Sequence, residues 1–132
     1  MTRRESWLPA SPESAAIARA LVRECAREID LGNGALWELT LATTEAVANA
    51  VEHGGACGPN REILLRIECV EDTLHVEVCD CGAFRDPRAS IRDITRGRGL
   101  PIIAAVTDHM EVLPAGGRTL VRFAKRASAT AA

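Results

Sequence analysis

The sequence predicts an α/β two-layer sandwich of the α+β kind: a mixed, mainly antiparallel sheet with three helices on one face. Three observations carry this. Apolar residues recur at helical spacing through residues 12–53, the period switches to two over 62–80 and again over 109–125, and a short helical segment separates the two strand pairs.

The first helix begins after Ser11, because Pro12 suits a first turn and Glu13 favours the positive end of the helix dipole. Ile17, Leu21, Cys25 and Ile29 recur every four residues and are expected to face the core, up to a turn at Gly32-Asn33-Gly34. A second helix, Ala35 to about His53, carries Leu36, Leu39, Ala46, Val47, Ala50 and Val51 on its inner side, with Thr43 the one polar member, and Gly54-Gly55 stops it. After a polar loop at 56–60, Ile63, Leu65, Ile67 and Cys69 share one face of a strand over Glu62–Val70. Leu74, Val76 and Val78 share a face of the next, Thr73–Asp80, joined to it at Glu71-Asp72 as an antiparallel hairpin. A polar loop through Asp86-Pro87 and a Gly-rich stretch lead to a third helix, Leu100 to about Val106. Strands at His109–Leu113 and Arg118–Lys125 flank an Ala115-Gly116-Gly117 turn; Glu5–Leu8 is a candidate edge strand, and 126–132 reads as a frayed tail.

A chain of 132 residues suffices for one core, so one domain over 1–132, with its core at about 12–125, is expected. With 47% hydrophobic and 26% charged residues the balance is that of a soluble globular protein. No apolar run approaches a membrane span and the N-terminus has no signal-peptide core, which makes the cytoplasm the expected compartment. Net charge is −2, and all but one of the 16 basic residues are scattered arginines, so neither a membrane surface nor nucleic acid is an expected partner. The five cysteines are odd in number and contain no CxxC pair, which predicts reduced, buried thiols and no disulfide or zinc site. Cys79 and Cys81 leave a thiol redox sensor as a separate reading.

Four stretches carry candidate chemistry. Glu45, Asn49 and His53 stand four residues apart and form one polar stripe beside the apolar side of the second helix. The Asn49 amide oxygen suits Mg²⁺ held together with phosphates and water, and Glu45 one turn earlier suits a base that orients a hydroxyl; a plain solvent-facing stripe is the ordinary alternative. Asp80 continues the parity of Leu74, Val76 and Val78, so a carboxylate emerges on the apolar face of its strand, followed by Cys81-Gly82. A carboxylate beside a glycine suits the exocyclic amine of a flat base, or an ordinary strand-to-loop turn. Gly97-Arg98-Gly99-Leu100 before the third helix suits phosphate, or a flexible loop. Gly116-Gly117-Arg118-Thr119 would bring the Thr119 hydroxyl beside the base, or is a simple hairpin.

In that order and on those elements the four stretches resemble the GHKL, or Bergerat-fold, ATPases of the histidine-kinase-like superfamily. Glu45-x-x-x-Asn49-Ala50-x-x-His53 is similar to the N box, Asp80-x-Gly82 to the first glycine box, Gly97-x-Gly99-Leu100 to the second, and Gly117 to Thr119 to the closing strand motif. Within that superfamily the compact length, the two helices before the hairpin and the short lid look most like the anti-sigma-factor serine kinases. The resemblance implies ATP and Mg²⁺ as cofactors. It implies a sigma factor as partner, an anti-anti-sigma protein with a STAS domain as substrate, and a homodimer. It makes Asn49 the magnesium and nucleotide ligand and Glu45 the catalytic base. Asp80 and Gly82 become base-binding, Gly97, Arg98, Gly99 and Leu100 phosphate-binding, Thr119 a neighbour of the base, and Arg19 a phosphate-side arginine; His53 shapes the helix end. Two departures stand out: Phe84 occupies the position of a common second glycine, and only nine residues separate Pro87 from Gly97. They favour an alternative, a nucleotide-binding interaction module without phosphotransfer. A histidine sensor kinase is expected less, because the chain offers no helix pair with a phosphoacceptor histidine.

Overall fold

The computed structural model describes residues 2–82 and 100–127. Alternating apolar residues make the central strands: β1 (Thr2–Pro9), β2 (Glu62–Val70), β3 (Thr73–Asp80), β4 (His109–Ala115) and β5 (Arg118–Arg126) form one sheet in the order β1-β2-β3-β5-β4. All four pairings are antiparallel, so the parallel component of the expected mixed sheet is absent among the described residues. β2 and β3 have the expected bounds, β4 and β5 run slightly longer, and β1, with 8 residues, is about twice the expected edge strand Glu5–Leu8. Of the expected tail, Arg126 closes β5 and the Ala127 N–H donates to the Asp72 carbonyl at 2.7 Å, while 128–132 lie outside the described residues. At Gly116 and Gly117 φ is 54° and 81°, the left-handed pair a two-residue hairpin requires.

Helices α1 (Ser14–Ala26), α2 (Asn33–Glu52) and α3 (Leu100–Val106) supply the second layer. One face of the sheet presents Ile63, Leu65, Ile67, Leu74, Val76, Val78, Val121 and Phe123 to them, all buried. Helix α1 corrects the expected stripe. Successive steps of four residues drift about 40° around a helix of 3.6 residues per turn, so Ala18, Val22, Cys25 and Ala26 are buried whereas Ile17 is 44% exposed. Leu21 and Ile29 pack at the margin of the core. On α2 the expected residues do face the core, but Thr40 joins Thr43 as a second buried polar residue, its hydroxyl donating to the Trp37 carbonyl. Such back-bonding within a helix satisfies a buried hydroxyl without a tertiary partner.

The opposite face of the sheet is banded. Trp7, Leu64, Cys79, Leu120 and Leu113 are register partners in one row. In the next, Glu5, Arg66, Glu77, Arg122 and Glu111 alternate in sign and pair across every strand. No helix among the described residues is long and apolar enough to cross a membrane.

Candidate functional site

The period-two pattern of β3 puts Asp80 on the helix-facing side, 6% exposed and level with Thr119 of β5. An ionised carboxylate there requires hydrogen-bond donors. Oδ1 accepts the Gly82 N–H at 2.7 Å and the Gly55 N–H at 3.3 Å, while the Cys81 N–H donates to the Gly55 carbonyl at 2.6 Å. The strand end and the segment after α2 are thereby stitched together. Their contact tolerates no side chains: a Cβ on Gly54 would lie 2.4 Å from Asp80 Cγ, and one on Gly82 would lie 2.6 Å from the Gly55 nitrogen. The Thr119 hydroxyl completes the group by donating to the Gly82 carbonyl at 2.7 Å.

Along α2, Glu45 and Asn49 lie half-buried beside the core residues Ala46, Val47 and Ala50. Asn49 Nδ2 is sealed from solvent with no hydrogen-bond partner among the described residues. Its backbone carbonyl accepts the N–H groups of both His53 and Gly54, so Asn49 anchors the chain that continues into the Asp80 contact. His53 is the C-cap residue, exposed, with Nε2 3.7 Å from Glu52 Oε2. Arg19 projects from α1 to α2, where Nη1 donates to the Thr44 hydroxyl at 3.0 Å, next in sequence to Glu45.

The whole stretch from residue 8 to residue 125 matches the family profile described as the histidine kinase-like ATPase domain. The chain belongs to the histidine kinase-like ATPase domain family. Membership of an ATPase family implies a chain that binds ATP. Among curated relatives, the serine-protein kinase RsbW of Bacillus pumilus is 28% identical over 131 residues, covering 88% of this chain and 81% of that protein. The serine-protein kinase RsbW of Listeria innocua is 32% identical over 79 residues, covering 60% of this chain and 50% of that one. The fold is shared with the structure of the RsbU and RsbW domains of Rv1364c from Mycobacterium tuberculosis, with a TM-score of 0.73, 22% identity, and coverage of 96% of this chain and 32% of that one. It is shared also with the catalytic domain of histidine kinase ThkA, with a TM-score of 0.56, 16% identity and coverage of 96% and 98%.

Within this ATPase domain, Glu45, Asn49, Asp80, Gly82, Thr119 and Arg19 all fall among the described residues. Leu100, the first residue of α3, is 3% exposed and belongs to the core, so only its backbone is available to a ligand. Gly97, Arg98 and Gly99 lie outside the described residues, as does Phe84. An Asn49 amide and a Glu45 carboxylate on successive turns fit Mg²⁺ only in company with phosphates and water, the usual habit of that ion. The unpartnered Asn49 Nδ2 is compatible with that role, because the amide can be turned to offer either end.

Gly54 and Gly55, expected only to stop the helix, also make the close contact with Asp80 and Gly82. Neither has a positive φ, so close approach to Asp80 and Gly82, not backbone freedom, is what needs a glycine there. The signal available in the sequence was the doubled glycine directly after the polar stripe. The cysteine expectation is also corrected: Cys57 and Cys81 form a disulfide, with Cα atoms 5.1 Å apart and a sequence separation of 24. In the chain-entropy picture such a crosslink removes roughly 3 kcal/mol of freedom from the unfolded chain. Cys25, Cys69 and Cys79 are free and buried as expected, and burial pushes each thiol pKa up. The pairing of Cys79 with Cys81 in a redox reading is therefore replaced by Cys57 with Cys81.

Proposed function

We propose that the chain is an ATP-dependent anti-sigma factor and serine-protein kinase, acting in the cytoplasm as a homodimer. In this reading it sequesters a sigma factor and phosphorylates a serine of an anti-anti-sigma protein with a STAS domain. The observation that carries the proposal is the buried Asp80 carboxylate, held between the Gly55 and Gly82 amides at one end of the helix bearing Glu45 and Asn49. The relatives named serine-protein kinase RsbW support the choice of substrate class.

Asp80 accepts the adenine amine, Gly82 permits the flat base to approach, and Thr119 holds Gly82 in place beside it. Asn49 would hold Mg²⁺ through its amide oxygen, and the ion would supply charge neutralisation at the phosphates. Gly97, Arg98, Gly99 and the Leu100 backbone cradle the phosphates, and Arg19 adds positive charge on the α1 side. Glu45 accepts the proton of the substrate serine hydroxyl as its oxygen attacks the γ-phosphorus and ADP leaves. Removing the Asp80 acceptor leaves a buried amine unpaired, at about 1 to 3 kcal/mol or more, which is roughly a tenfold loss of affinity.

Calorimetric titration of ATP and ADP, with and without Mg²⁺, into the wild type and Asn49→Ala tests the pocket. Magnesium-dependent binding that is lost in the variant is expected; no binding to the wild type would overturn the proposal. The second reading, a nucleotide-binding module without transfer, draws on Phe84 and the nine residues between Pro87 and Gly97. Phosphotransfer to an antagonist that disappears in Glu45→Ala would exclude it.

A further inference from the structure

We infer that Cys57 and Cys81 form a thiol–disulfide exchange site for a low-molecular-weight thiol, and that this site controls the frame around Asp80; its consequence for nucleotide rests on the reading of Asp80 as the adenine acceptor. Cys81 lies between Asp80 and Gly82, and Cys57 lies in the segment that Gly54 and Gly55 begin. The disulfide therefore joins the two backbone segments whose close approach builds the candidate base pocket. Beside it, the Cys81-to-Gly55 backbone bond and the longer 3.3 Å bond from Gly55 to Asp80 also link the two segments.

The bond is reachable. Cys81 directly follows β3 and lines one cavity with Trp7, whose row lies on the outer face of the sheet, away from the buried Asp80. Both cysteines are half-exposed and line a surface cavity of about 330 Å³ together with Trp7, Pro59 and Arg118. Exchange there does not require the nucleotide side to be vacated. The exposed Arg118 suits a carboxylate and the face of the Trp7 indole, 52% exposed, suits an ammonium, the two charged groups of a small thiol of the glutathione class. The other three thiols are buried, which confines exchange to this pair.

The chemistry balances without a metal or flavin. One thiolate of the small thiol attacks a sulfur of the pair, giving a mixed disulfide and one protein thiolate. A second small thiolate attacks the mixed disulfide, releasing the small disulfide and the second protein thiolate, and the two protein thiolates take up the two protons the reagents lost. Oxidation is the reverse: the small disulfide is reduced to two thiols as Cys57 and Cys81 join. The oxidised form holds Gly55 against Gly82 and is the form preorganised for nucleotide; the reduced form lets residues 54–60 move off.

The test equilibrates the full chain in glutathione buffers of graded reduced-to-oxidised ratio. Disulfide fraction is measured by alkylation and mass, amide exchange at Gly55 and Gly82 by NMR, and ADP affinity by calorimetry. The fraction is expected to titrate with the ratio, the two amides to exchange faster in the reduced form, and ADP affinity to fall by at least about threefold. Cys57→Ser should show the reduced-form amides and affinity at every ratio; Cys57→Ala provides the same reading if the serine variant folds poorly. A bond that fails to exchange, or amides indifferent to its state, would overturn the inference. Failure of both redox forms to bind any nucleotide would instead remove the ATP reading, while the amide measurement still decides the exchange site.

Discussion

Gly54 and Asp80 approach so closely that a single added carbon on the glycine would stand 2.4 Å from the carboxylate carbon and 2.7 Å from the Ala50 carbonyl oxygen. Neither neighbour can yield cheaply, since Asp80 is held by two backbone amides and Ala50 lies within α2. Gly54→Ala should destabilise the fold by about 1 to 3 kcal/mol, the cost of overpacking a tight site. The midpoint of urea unfolding would fall, and ATP affinity would fall with it because Asp80 is the group displaced. A variant with an unchanged midpoint would mean that the two segments separate easily.

Thr119 offers a gentler perturbation of the same corner. Its hydroxyl donates to the Gly82 carbonyl across 37 residues of sequence and is the side-chain tie from β5 to the loop after β3. Thr119→Val keeps the shape and removes the donor, at about 0.5 to 1.5 kcal/mol. Thr119→Ser should restore most of the loss. Measured by thermal unfolding and ATP titration, rescue by serine separates the hydrogen bond from the packing of the methyl group.

Strand patterns made β2 and β3 legible to the residue, because alternation is decided by which face is buried and Ile63 through Val78 leave no doubt about that face. The parity of Asp80 followed from the same pattern. What stayed illegible was tertiary. Ile17 belongs to a regular four-residue series, yet Ala18 and Val22 are buried in its place, since small residues let α1 lie close to its neighbours. Cys57 and Cys81 sit in two loops whose meeting depends on Gly54, Gly55 and Gly82, and no spacing rule within one segment encodes that encounter. The Glu45 and Asn49 stripe was readable because helix geometry alone puts those residues together.

The buried thiols carry a pH dependence of defined sign. Burial raises the folded-state pKa of Cys25, Cys69 and Cys79 above the ordinary thiol value. The unfolded chain therefore loses its thiol protons first, so the stabilisation is fully present below about pH 8.5 and is lost as pH rises through the folded values. Urea midpoints should decline above that pH, with a shallower decline in Cys79→Ala than in the wild type. At pH 7 the unreduced native protein should show no fast-reacting thiol, and three should appear in denaturant. A native thiol that reacts at once would contradict the burial of these side chains.

Glu77 is the centre of the charged band on the outer face of the sheet, its Oε1 2.6 Å from Arg122 Nη2 and its Oε2 3.4 Å from Arg66 Nη1. Each arginine also reaches a second glutamate, Arg122 to Glu111 at 3.8 Å and Arg66 to Glu5 at 3.5 Å, so the row alternates in sign across all five strands. Isolated exposed pairs contribute little, but Glu77 is only 19% exposed and bridges two cations from neighbouring strands, which are the conditions under which cross-strand pairs matter. Glu77→Gln should cost about 1 kcal/mol at low salt, split over the two contacts. In a Debye-screened solution of about 1 M salt the wild type should lose part of this advantage while the variant changes less. Unfolding midpoints of both proteins at two salt concentrations measure the difference directly. If the gap is the same at both, Glu77 acts through packing of its methylene stem between the arginines and not through its charge.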